Sequence, residues 1–150
     1  MSKEFLVIDE RYQKGKIYII YNKYDRKLAY IGSTIDTLSS RMSKHRYVCK
    51  NKTKTKNTIL YNTVDGKWDD WTAEVYELYP CNSRRELNIR EGEIIKELGT
   101  INKNIAGRTK KQWSKDNPNK NKEYCAKFRM KHPDKHKEYQ KNWRLKNRNK

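Results

Sequence analysis

Two short runs near the N-terminus, Gly15-Lys-Ile-Tyr-Ile-Ile-Tyr21 and Lys27-Leu-Ala-Tyr-Ile-Gly32, set the architecture of the chain. Both runs are rich in β-branched and aromatic residues, and the polar residues between them have the composition of a turn. The two runs therefore predict a β-hairpin. Tyr18 and Tyr30 lie nearly opposite each other if the turn centres near Tyr24, whereas a slip of one residue places them on different faces.

The segments after the hairpin predict a compact domain. They indicate a helix over residues 37–48 capped by Asp36 or Thr37, a basic loop over 50–56 and a short helix over 57–64. A strand over 71–79 follows. The last helix begins with a capping box, Ser83-Arg-Arg-Glu86, and ends at Leu98. The order β-β-α-α-β-α predicts an α+β fold over residues 1–107, with a three-stranded antiparallel sheet flanked by helices.

Positive charge is concentrated in the C-terminal part of the chain. The 150 residues carry a net charge of +18, and residues 108–150 contribute +12 of it, with 16 basic and 4 acidic side chains. This segment repeats with a period of 15 residues, because Trp113-Ser-Lys-Asp-Asn-Pro-Asn-Lys-Asn-Lys-Glu-Tyr124 is followed by Phe128-Arg-Met-Lys-His-Pro-Asp-Lys-His-Lys-Glu-Tyr139. Pro118 and Pro133 each predict a helix start. We expect a basic tail of helical repeats with a polyanionic partner.

Two interpretations of the tail stay open at the level of sequence. One is a solvated, partly disordered basic segment, because each repeat buries little apolar surface. The other is a nucleic-acid-binding segment in which aromatic rings and basic side chains follow a phosphate backbone. The candidate contact residues are Trp113, Lys120, Lys122, Tyr124, Lys127, Phe128, Arg129, Lys135, Lys137, Tyr139, Trp143 and Arg144. Nucleic-acid binding is favoured.

Composition argues against several other classes of protein. The chain has no apolar run near the roughly 20 residues that a membrane-spanning helix needs, and its N-terminus lacks the pattern of a secretory signal. We therefore expect an intracellular protein with no membrane association. Its three cysteines, at wide spacing and without a C-x-x-C pair, indicate buried or idle thiols rather than a zinc or redox site.

A carboxylate in an apolar stripe is a candidate for chemistry. Glu91 lies between Leu87 and Ile94 at helical spacing, with Leu98 one turn further on. Burying such a group costs several kcal/mol unless it is paired or bound to a cation, so Glu91 predicts a metal or a basic partner such as Arg41.

Other candidate residues are less distinctive when taken alone. Arg41 and His45 lie four apart on a predicted helix face distinct from that of Leu38 and Met42, and such a pair is usually a solvated surface. Tyr18 and Tyr30 are by themselves ordinary strand aromatics.

Five short motifs in order resemble the GIY-YIG endonuclease family. They are Lys16-Ile-Tyr18, Tyr30-Ile-Gly32, Arg41 with His45, Glu91 and Asn104-Ile-Ala-Gly107, and the resemblance covers about residues 15–107. The first motif departs from the family pattern, because Lys16 directly precedes Ile-Tyr and the glycine lies one residue earlier. The motif tyrosine is retained.

The resemblance implies a hydrolytic phosphodiesterase of DNA that uses one divalent cation, Mg²⁺ or Mn²⁺. It implies that Glu91 is the carboxylate ligand to the metal and that Arg41 clamps the phosphate in the transition state. Tyr18 is implied as the general base for the attacking water, with Tyr30 and His45 positioning the water or assisting proton transfer.

Some details of this implied site stay open. A tyrosine with an ordinary pKa near 10 is a poor base at neutral pH unless nearby cations favour its phenolate, and Arg41, the metal and Lys16 are the available cations. Which of the two tyrosines and the histidine takes the proton is open. Asn104 either supports the site by hydrogen bonding or only forms a loop. Lys16 is also a candidate contact to nucleic acid.

The whole sequence predicts a DNA endonuclease, resembling homing-type nucleases of phages and viruses, whose domain at 1–107 cuts double-stranded DNA and whose tail at 108–150 holds it. No small-molecule cofactor is expected, and the oligomeric state is open. A restriction or repair nuclease of the same family and a non-catalytic nucleic-acid-binding protein on the same scaffold are the alternatives. The intact set of candidate catalytic residues favours an enzyme.

Overall fold

The protein is described here by a computed structural model covering residues 9–51 and 58–148. The chain divides into two compact units, of which the first ends at Arg108 and the second begins at Thr109. Within the described ranges, none of the helices has the length and apolar character needed to cross a membrane.

The predicted hairpin is present as strands β1 (Lys16–Asn22) and β2 (Ala29–Thr34). A third strand, β3 (Trp71–Leu78), pairs with the other side of β1. All pairs are antiparallel, and the order β2-β1-β3 makes β1 the central strand. The predicted α+β class with a three-stranded antiparallel sheet is confirmed.

The register of the hairpin places the two tyrosines diagonally. Tyr18 pairs with Gly32 and Tyr30 pairs with Ile20. The tyrosines therefore share one face of the sheet as diagonal neighbours, with ring centroids 6.5 Å apart. A Cβ at Gly32 would overlap the ring and hydroxyl of Tyr18, so this close approach requires glycine there.

The prediction that the two tyrosines lie nearly opposite is wrong because the hairpin centres on Asp25 rather than on Tyr24. The side chain of Asn22 accepts hydrogen bonds from the backbone N–H groups of Tyr24 and Asp25, at 2.9 and 3.0 Å. The side chain therefore forms a turn of its own before the chain reverses. Moving the centre by one residue moves each pair by two, which changes the partner but keeps the face.

The outer edge of β2 is covered by residues that follow the last helix of the first unit. Asn102 accepts from the backbone N–H of Ile31 and donates to its carbonyl oxygen, both at 2.8 Å. Thr100 Oγ1 accepts from the N–H of Ala29 at 2.9 Å. These bonds satisfy backbone groups that an edge strand otherwise exposes.

Three α-helices accompany the sheet in the described part of the first unit. They are α1 (Leu38–Lys50), α2 (Thr58–Val64) and α3 (Arg84–Leu98), with short 3₁₀ helices at Glu10–Lys14 and Trp68–Asp70. Thr37 is the N-cap of α1, since its Oγ1 accepts from the N–H of Ser40 at 3.2 Å. The predicted start of α2 at Asn57 and most of the predicted basic loop lie outside the described residues.

The capping box predicted for α3 is only half formed. Ser83 Oγ accepts from the N–H of Glu86 at 3.3 Å, as predicted. The Glu86 carboxylate, however, accepts from the N–H of Asn82 at 2.9 Å rather than from that of Ser83. The extended backbone at Ser83 brings the preceding residue into reach, so the carboxylate satisfies the N–H just outside the helix.

The prediction that Arg41 and His45 lie on a different face of α1 from Leu38 and Met42 is wrong. The four positions are spaced i, i+3, i+4 and i+7, which form one stripe on a helix of 3.6 residues per turn. His45 and Met42 are both buried, and Leu38 packs against the same core. The polar members of the stripe are directed at the sheet rather than at solvent.

The core lies on both faces of the sheet. One cluster gathers side chains from the sheet, α1, α2 and the loop after α3: Tyr18, Ile20, Tyr30, Met42, Leu60, Val64, Trp71 and Ile101. The other is formed with α3 and comprises Ile17, Ile31, Cys81, Leu87, Ile94 and Ile95. Successive residues of β1 enter different clusters because side chains alternate along a strand.

The second unit consists of helices without a core. They are α4 (Lys110–Asp116), α5 (Pro118–Lys131) and α6 (Pro133–Lys146), and none of their residues is buried. Pro118 and Pro133 begin α5 and α6, at the positions predicted from the repeat. Helix α4 begins with a capping box formed by Thr109 and Gln112, which the sequence analysis did not identify.

Candidate active site

The hydroxyl of Tyr18 is the meeting point of three residues predicted for the site. Tyr18 is fully buried on the central strand. Its oxygen accepts a hydrogen bond from Nε of Arg41 at 2.9 Å and lies 2.8 Å from Nε2 of His45. The spacing on α1 that directs Arg41 and His45 at the sheet therefore brings both to one oxygen atom.

The hydrogen-bond partners assign the tautomer of His45. Arg41 can only donate, so the proton of the Tyr18 hydroxyl is directed at Nε2 of His45. Burial, reinforced by the charge of Arg41, lowers the pKa of His45 to about 3, and the ring is neutral at neutral pH. Its one proton is then on Nδ1, which lies 3.0 Å from the hydroxyl oxygen of Tyr61 on α2.

Burial controls the protonation of Tyr18. It raises the pKa of Tyr18 to about 12, although the charge and the hydrogen bond of Arg41 act in the opposite direction. The cation expected to favour the phenolate is thus present, but its effect is smaller than that of burial. Tyr18 is a phenol at neutral pH, and it can accept a proton only if its own proton passes to His45.

Tyr30 forms a wall of this network. It is buried, and its ring centroid lies 5.8 Å from that of His45. Burial raises the pKa of Tyr30 as well, so both motif tyrosines are protonated at neutral pH.

Glu91, the carboxylate predicted for the site, lies on α3. Leu87 and Ile94 of the predicted apolar stripe are buried, whereas Leu98 is 39% exposed and ends the stripe. Glu91 itself is half-buried. Glu91 is thus a half-buried carboxylate between two buried apolar side chains of α3.

The hydrogen-bond partner of Glu91 is Ser33 on β2, not Arg41 as suggested from sequence. Ser33 Oγ donates to Glu91 Oε2 at 2.5 Å. Burial raises the pKa of Glu91, while the Ser33 hydrogen bond and the charge of Arg41 oppose that change. Arg41 affects Glu91 through its charge, while its Nε donates to the Tyr18 hydroxyl.

The surroundings of Glu91 fit a divalent cation held by one protein carboxylate. Among the described residues, no three histidine, cysteine, aspartate or glutamate side chains lie together as metal ligands. Mg²⁺ is commonly held by one or two carboxylates, with water and phosphate oxygens at its other positions. A cation beside Glu91 would also favour the ionised form that burial disfavours. Glu91, oriented by Ser33, is the residue that would hold the ion.

Arg41 has the geometry of a phosphate clamp. Its side chain is half-buried, and the guanidinium carbon lies 5.9 Å from the centre of the Tyr18 ring. Its terminal nitrogens make no hydrogen bond with the residues that the structure describes. A planar fork with two free donors matches the geometry of a phosphate group.

Two predicted residues lie outside this network. The ammonium group of Lys16 donates to the carbonyl oxygen of Asp36 at 3.0 Å, which joins the start of β1 to the start of α1. Asn104 is exposed and makes no hydrogen bond within the described part of the chain. Of the two roles left open for Asn104, the supporting hydrogen bond has no counterpart among the described residues.

The Asn104 motif instead serves packing. Ile105 and Ala106 pack against the core cluster on α3. The carbonyl oxygen of Ala106 lies so close to α3 that a Cβ at Gly92 would overlap it. The loop interpretation of Asn104, which the sequence left open, agrees with this packing.

Sequence reasoning missed three residues that support the site, namely Ser33, Tyr61 and Asn102. Ser33 follows the glycine of the second motif, and alternation along β2 places it on the sheet face opposite to Gly32, where α3 lies. That alternation was a usable signal. Tyr61 and Asn102 gave none, because their partners are 16 and 71 residues away in the chain.

The candidate contact residues of the tail are accessible. Tyr124, Phe128, Tyr139 and Trp143 are all exposed, and Trp113 is half-buried. The lysines and arginines predicted to contact nucleic acid are exposed too. The second unit thus presents rings and cations to solvent together.

Comparison with known proteins agrees with this geometry. The family profile of the GIY-YIG catalytic domain matches residues 14–106. Among solved structures, the fold is similar to a mutant form of the catalytic domain of the intron endonuclease I-TevI, with a TM-score of 0.51 and 24% identity. This match covers 63% of this chain and 96% of that domain.

A viral protein is similar in sequence. The chain is 31% identical over 108 residues to the MSV199 domain-containing protein 146R of Invertebrate iridescent virus 6, a match that covers 71% of this chain and 42% of the viral protein. The chain thus spans less than half the length of this relative. The profile match includes every motif residue from Lys16 to Ala106, and the protein belongs to the GIY-YIG nuclease family.

Proposed function

We propose that the protein is a metal-dependent DNA endonuclease that hydrolyses phosphodiester bonds in double-stranded DNA. The observation that carries the proposal is the Tyr18 hydroxyl held between Arg41 and His45, at 2.9 and 2.8 Å. A donor on one side and an acceptor on the other let this oxygen take a proton from water while releasing its own.

The proton transfer balances within the chain. Water gives a proton to the Tyr18 oxygen, the Tyr18 proton moves to Nε2 of His45, and the hydroxide attacks phosphorus. The bond from phosphorus to the 3′ oxygen breaks, and that oxygen takes a proton from solvent, which later receives the proton held by His45. His45 becomes an imidazolium, which burial and Arg41 oppose in the free protein. A bound phosphodiester would offset the charge of Arg41 and so favour this form.

Arg41 would hold the scissile phosphate with its terminal nitrogens and stabilise the charge that develops on it. Because its guanidinium lies beside the Tyr18 ring, its turn toward a phosphate is also the movement that would uncover the buried hydroxyl. Tyr61 acts as a positioning residue. Its oxygen can accept a hydrogen bond from the protonated Nδ1 of His45, which leaves Nε2 unprotonated and able to accept from Tyr18.

Glu91 would hold the metal, Mg²⁺ or Mn²⁺, with its carboxylate fixed by Ser33. The ion, when bound, supplies positive charge to the phosphate and to the departing 3′ oxygen. Burial raises the pKa of Glu91, and a neighbouring cation would oppose that shift and favour the ionised carboxylate.

The tail at residues 108–150 would be the DNA anchor, since it carries +12 of the net charge. A catalytic domain joined to a separate binding segment suits a homing-type enzyme of a mobile element, and the similarity to a protein of an iridescent virus fits such an origin.

A non-catalytic DNA-binding protein on the same scaffold is the second candidate. The complete burial of Tyr18 favours it, because a general base needs access to water. Incubation of the purified protein with supercoiled plasmid, in Mg²⁺ and in EDTA, separates the two. Nicked or linear DNA with 3′-hydroxyl and 5′-phosphate ends, formed only with Mg²⁺, supports the enzyme, whereas intact plasmid under saturated binding supports the binder.

A further inference from the structure

We propose that residues 118–132 and 133–147 are two equivalent DNA-binding units, each of which holds its own stretch of duplex. The proposal rests on the tail's role as DNA anchor in the proposed function. It does not depend on whether the DNA is cut.

The same backbone bend precedes each of the two units. The residue before α5, Asn117, has φ −131° and ψ 58°, and the residue before α6, His132, has φ −135° and ψ 62°. A proline follows each at the first helical position. The N–H of each bend residue donates to the carbonyl of the aromatic residue four positions earlier, Trp113 and Phe128. A bend that recurs unchanged after 15 residues makes the tail a regular array.

Each unit carries the same stripe of side chains. It runs lysine, tyrosine, large aromatic, lysine at i, i+4, i+8 and i+11, which lies on one side of a helix. The first stripe is Lys120, Tyr124, Phe128 and Lys131, and the second is Lys135, Tyr139, Trp143 and Lys146. The two tyrosines are 69% and 68% exposed, whereas Phe128 and Trp143 are 45% and 59% exposed.

Within the described part of their own unit the stripes stay exposed, and Phe128 also contacts the ring of His132, with ring centroids 5.0 Å apart. No residue of α4, α5 or α6 is buried, so the rings do not form a core. Apolar rings bordered by lysines at both ends fit a ligand that offers sugars or bases between phosphates. A single α-helix, about 10–12 Å across, also fits the major groove of B-DNA, which is about 12 Å wide. We therefore assign duplex DNA as the partner.

The length of a unit sets its share of the duplex. A helix of 14 residues is about 21 Å long, which corresponds to about six base pairs at 3.4 Å each. Because the bends at Asn117 and His132 have nearly the same φ and ψ, α5 and α6 each start in the same orientation relative to the helix before them. Two units would lie along about 12 base pairs.

Binding of the full-length chain to a labelled 30-base-pair duplex in EDTA, over a series of KCl concentrations, tests the proposal without any cleavage. The lysine pairs Lys120→Gln/Lys131→Gln and Lys135→Gln/Lys146→Gln should each reduce the slope of log affinity against log salt by about two, and by about four together. The ring pairs Tyr124→Ala/Phe128→Ala and Tyr139→Ala/Trp143→Ala should lower affinity by equal factors and leave the slope unchanged.

Footprinting gives a second measurement, using chains that lack 118–132 or 133–147. Each deletion should shorten the protected duplex by about six base pairs. The proposal is overturned if one unit carries the whole effect and the other none, or if single-stranded DNA of equal length binds more tightly than the duplex. Circular dichroism of each variant shows whether its helices are retained.

Discussion

Tyr18 gains its proposed chemistry from two neighbours that differ in hydrogen-bonding character, because Arg41 only donates and neutral His45 accepts. Tyr18→Phe should therefore lower the cleavage rate about a hundredfold or more, with little loss of DNA affinity. Arg41→Ala should do the same, since it removes the phosphate clamp. Single-turnover kinetics at saturating protein measures both, and Tyr24→Phe, at an exposed turn position, is the matched control. A variant that binds weakly but turns over normally would show that its residue is not catalytic.

Tyr61 is the residue through which the tautomer of His45 can be tested directly. In Tyr61→Phe the Nδ1 proton loses its acceptor, so the preference for Nε2 as the unprotonated nitrogen should weaken. We expect the cleavage rate to fall about three- to tenfold, the value of one neutral hydrogen bond. Nitrogen-15 NMR of the imidazoles reads the tautomer, and His132 and His136 in the tail serve as internal references. An unchanged His45 spectrum in the variant would exclude this role.

At the same scale, sequence identifies residues better than it identifies their contacts. The motifs gave Tyr18, Arg41, His45 and Glu91. The spacing on α1 was sufficient to place Arg41 and His45 facing the sheet, although the prediction put them on a different face from Leu38 and Met42. The partner of Glu91 was missed: alternation along β2 places Ser33 on the face of the sheet where α3 lies, but the contact joins residues 58 positions apart in the chain. Burial, which decides the direction of the pKa shifts of Tyr18, Tyr30, His45 and Glu91, is likewise a property of the packed fold.

Among the secondary-structure elements, the edge of β2 depends on one side chain. Asn102→Ala removes both hydrogen bonds to Ile31 and leaves two backbone groups without their partner, so the free energy of unfolding should fall by about 1–3 kcal/mol. Asn104→Ala is the matched control, because Asn104 is exposed and should change stability by less than about 0.5 kcal/mol. Urea denaturation compares them, and equal effects would contradict the assignment of Asn102 as the edge residue.

The strands and helices were predictable wherever local chemistry defines them. Alternation, caps and prolines gave β1, β2, β3, α1, α3, α5 and α6 with small errors at their ends. The register of the hairpin was not predictable, because it depends on the Asn22 side chain accepting hydrogen bonds from two backbone N–H groups. Helix α4 was missed because its capping residues, Thr109 and Gln112, are followed by only one turn of apolar signal, at Trp113.

In the molecule as a whole, the charge distribution separates anchoring from chemistry. Removal of residues 108–150 leaves the site residues in place, so cleavage at high protein concentration should persist while affinity falls. If the tail neutralises about six phosphates, the slope of log affinity against log salt should become shallower by about five. Binding measured from low to high salt decides the point. Equal slopes with and without the tail would show that it is a solvated charge run.

The substitution that removes the metal ligand is also expected to fold. The folded-state pKa of Glu91 is raised by burial, so the ionised carboxylate destabilises the metal-free fold as the pH rises through that pKa. Glu91→Gln removes this effect and keeps an oxygen that can accept from Ser33. We therefore expect a melting temperature at pH 7 at or above that of the unchanged protein, and Mg²⁺ should raise it only in the unchanged protein.

We propose that this chain cleaves DNA with a metal held by Glu91, and the plasmid assay tests this by comparing Glu91→Gln with the unchanged protein. With matched DNA binding and Mg²⁺ present, the unchanged protein should convert supercoiled plasmid to nicked and then linear DNA. Glu91→Gln should leave the plasmid supercoiled, because its cleavage rate should be lower by about a hundredfold or more. Cleavage by Glu91→Gln at a rate near that of the unchanged protein would contradict the proposed role of the metal and of Glu91.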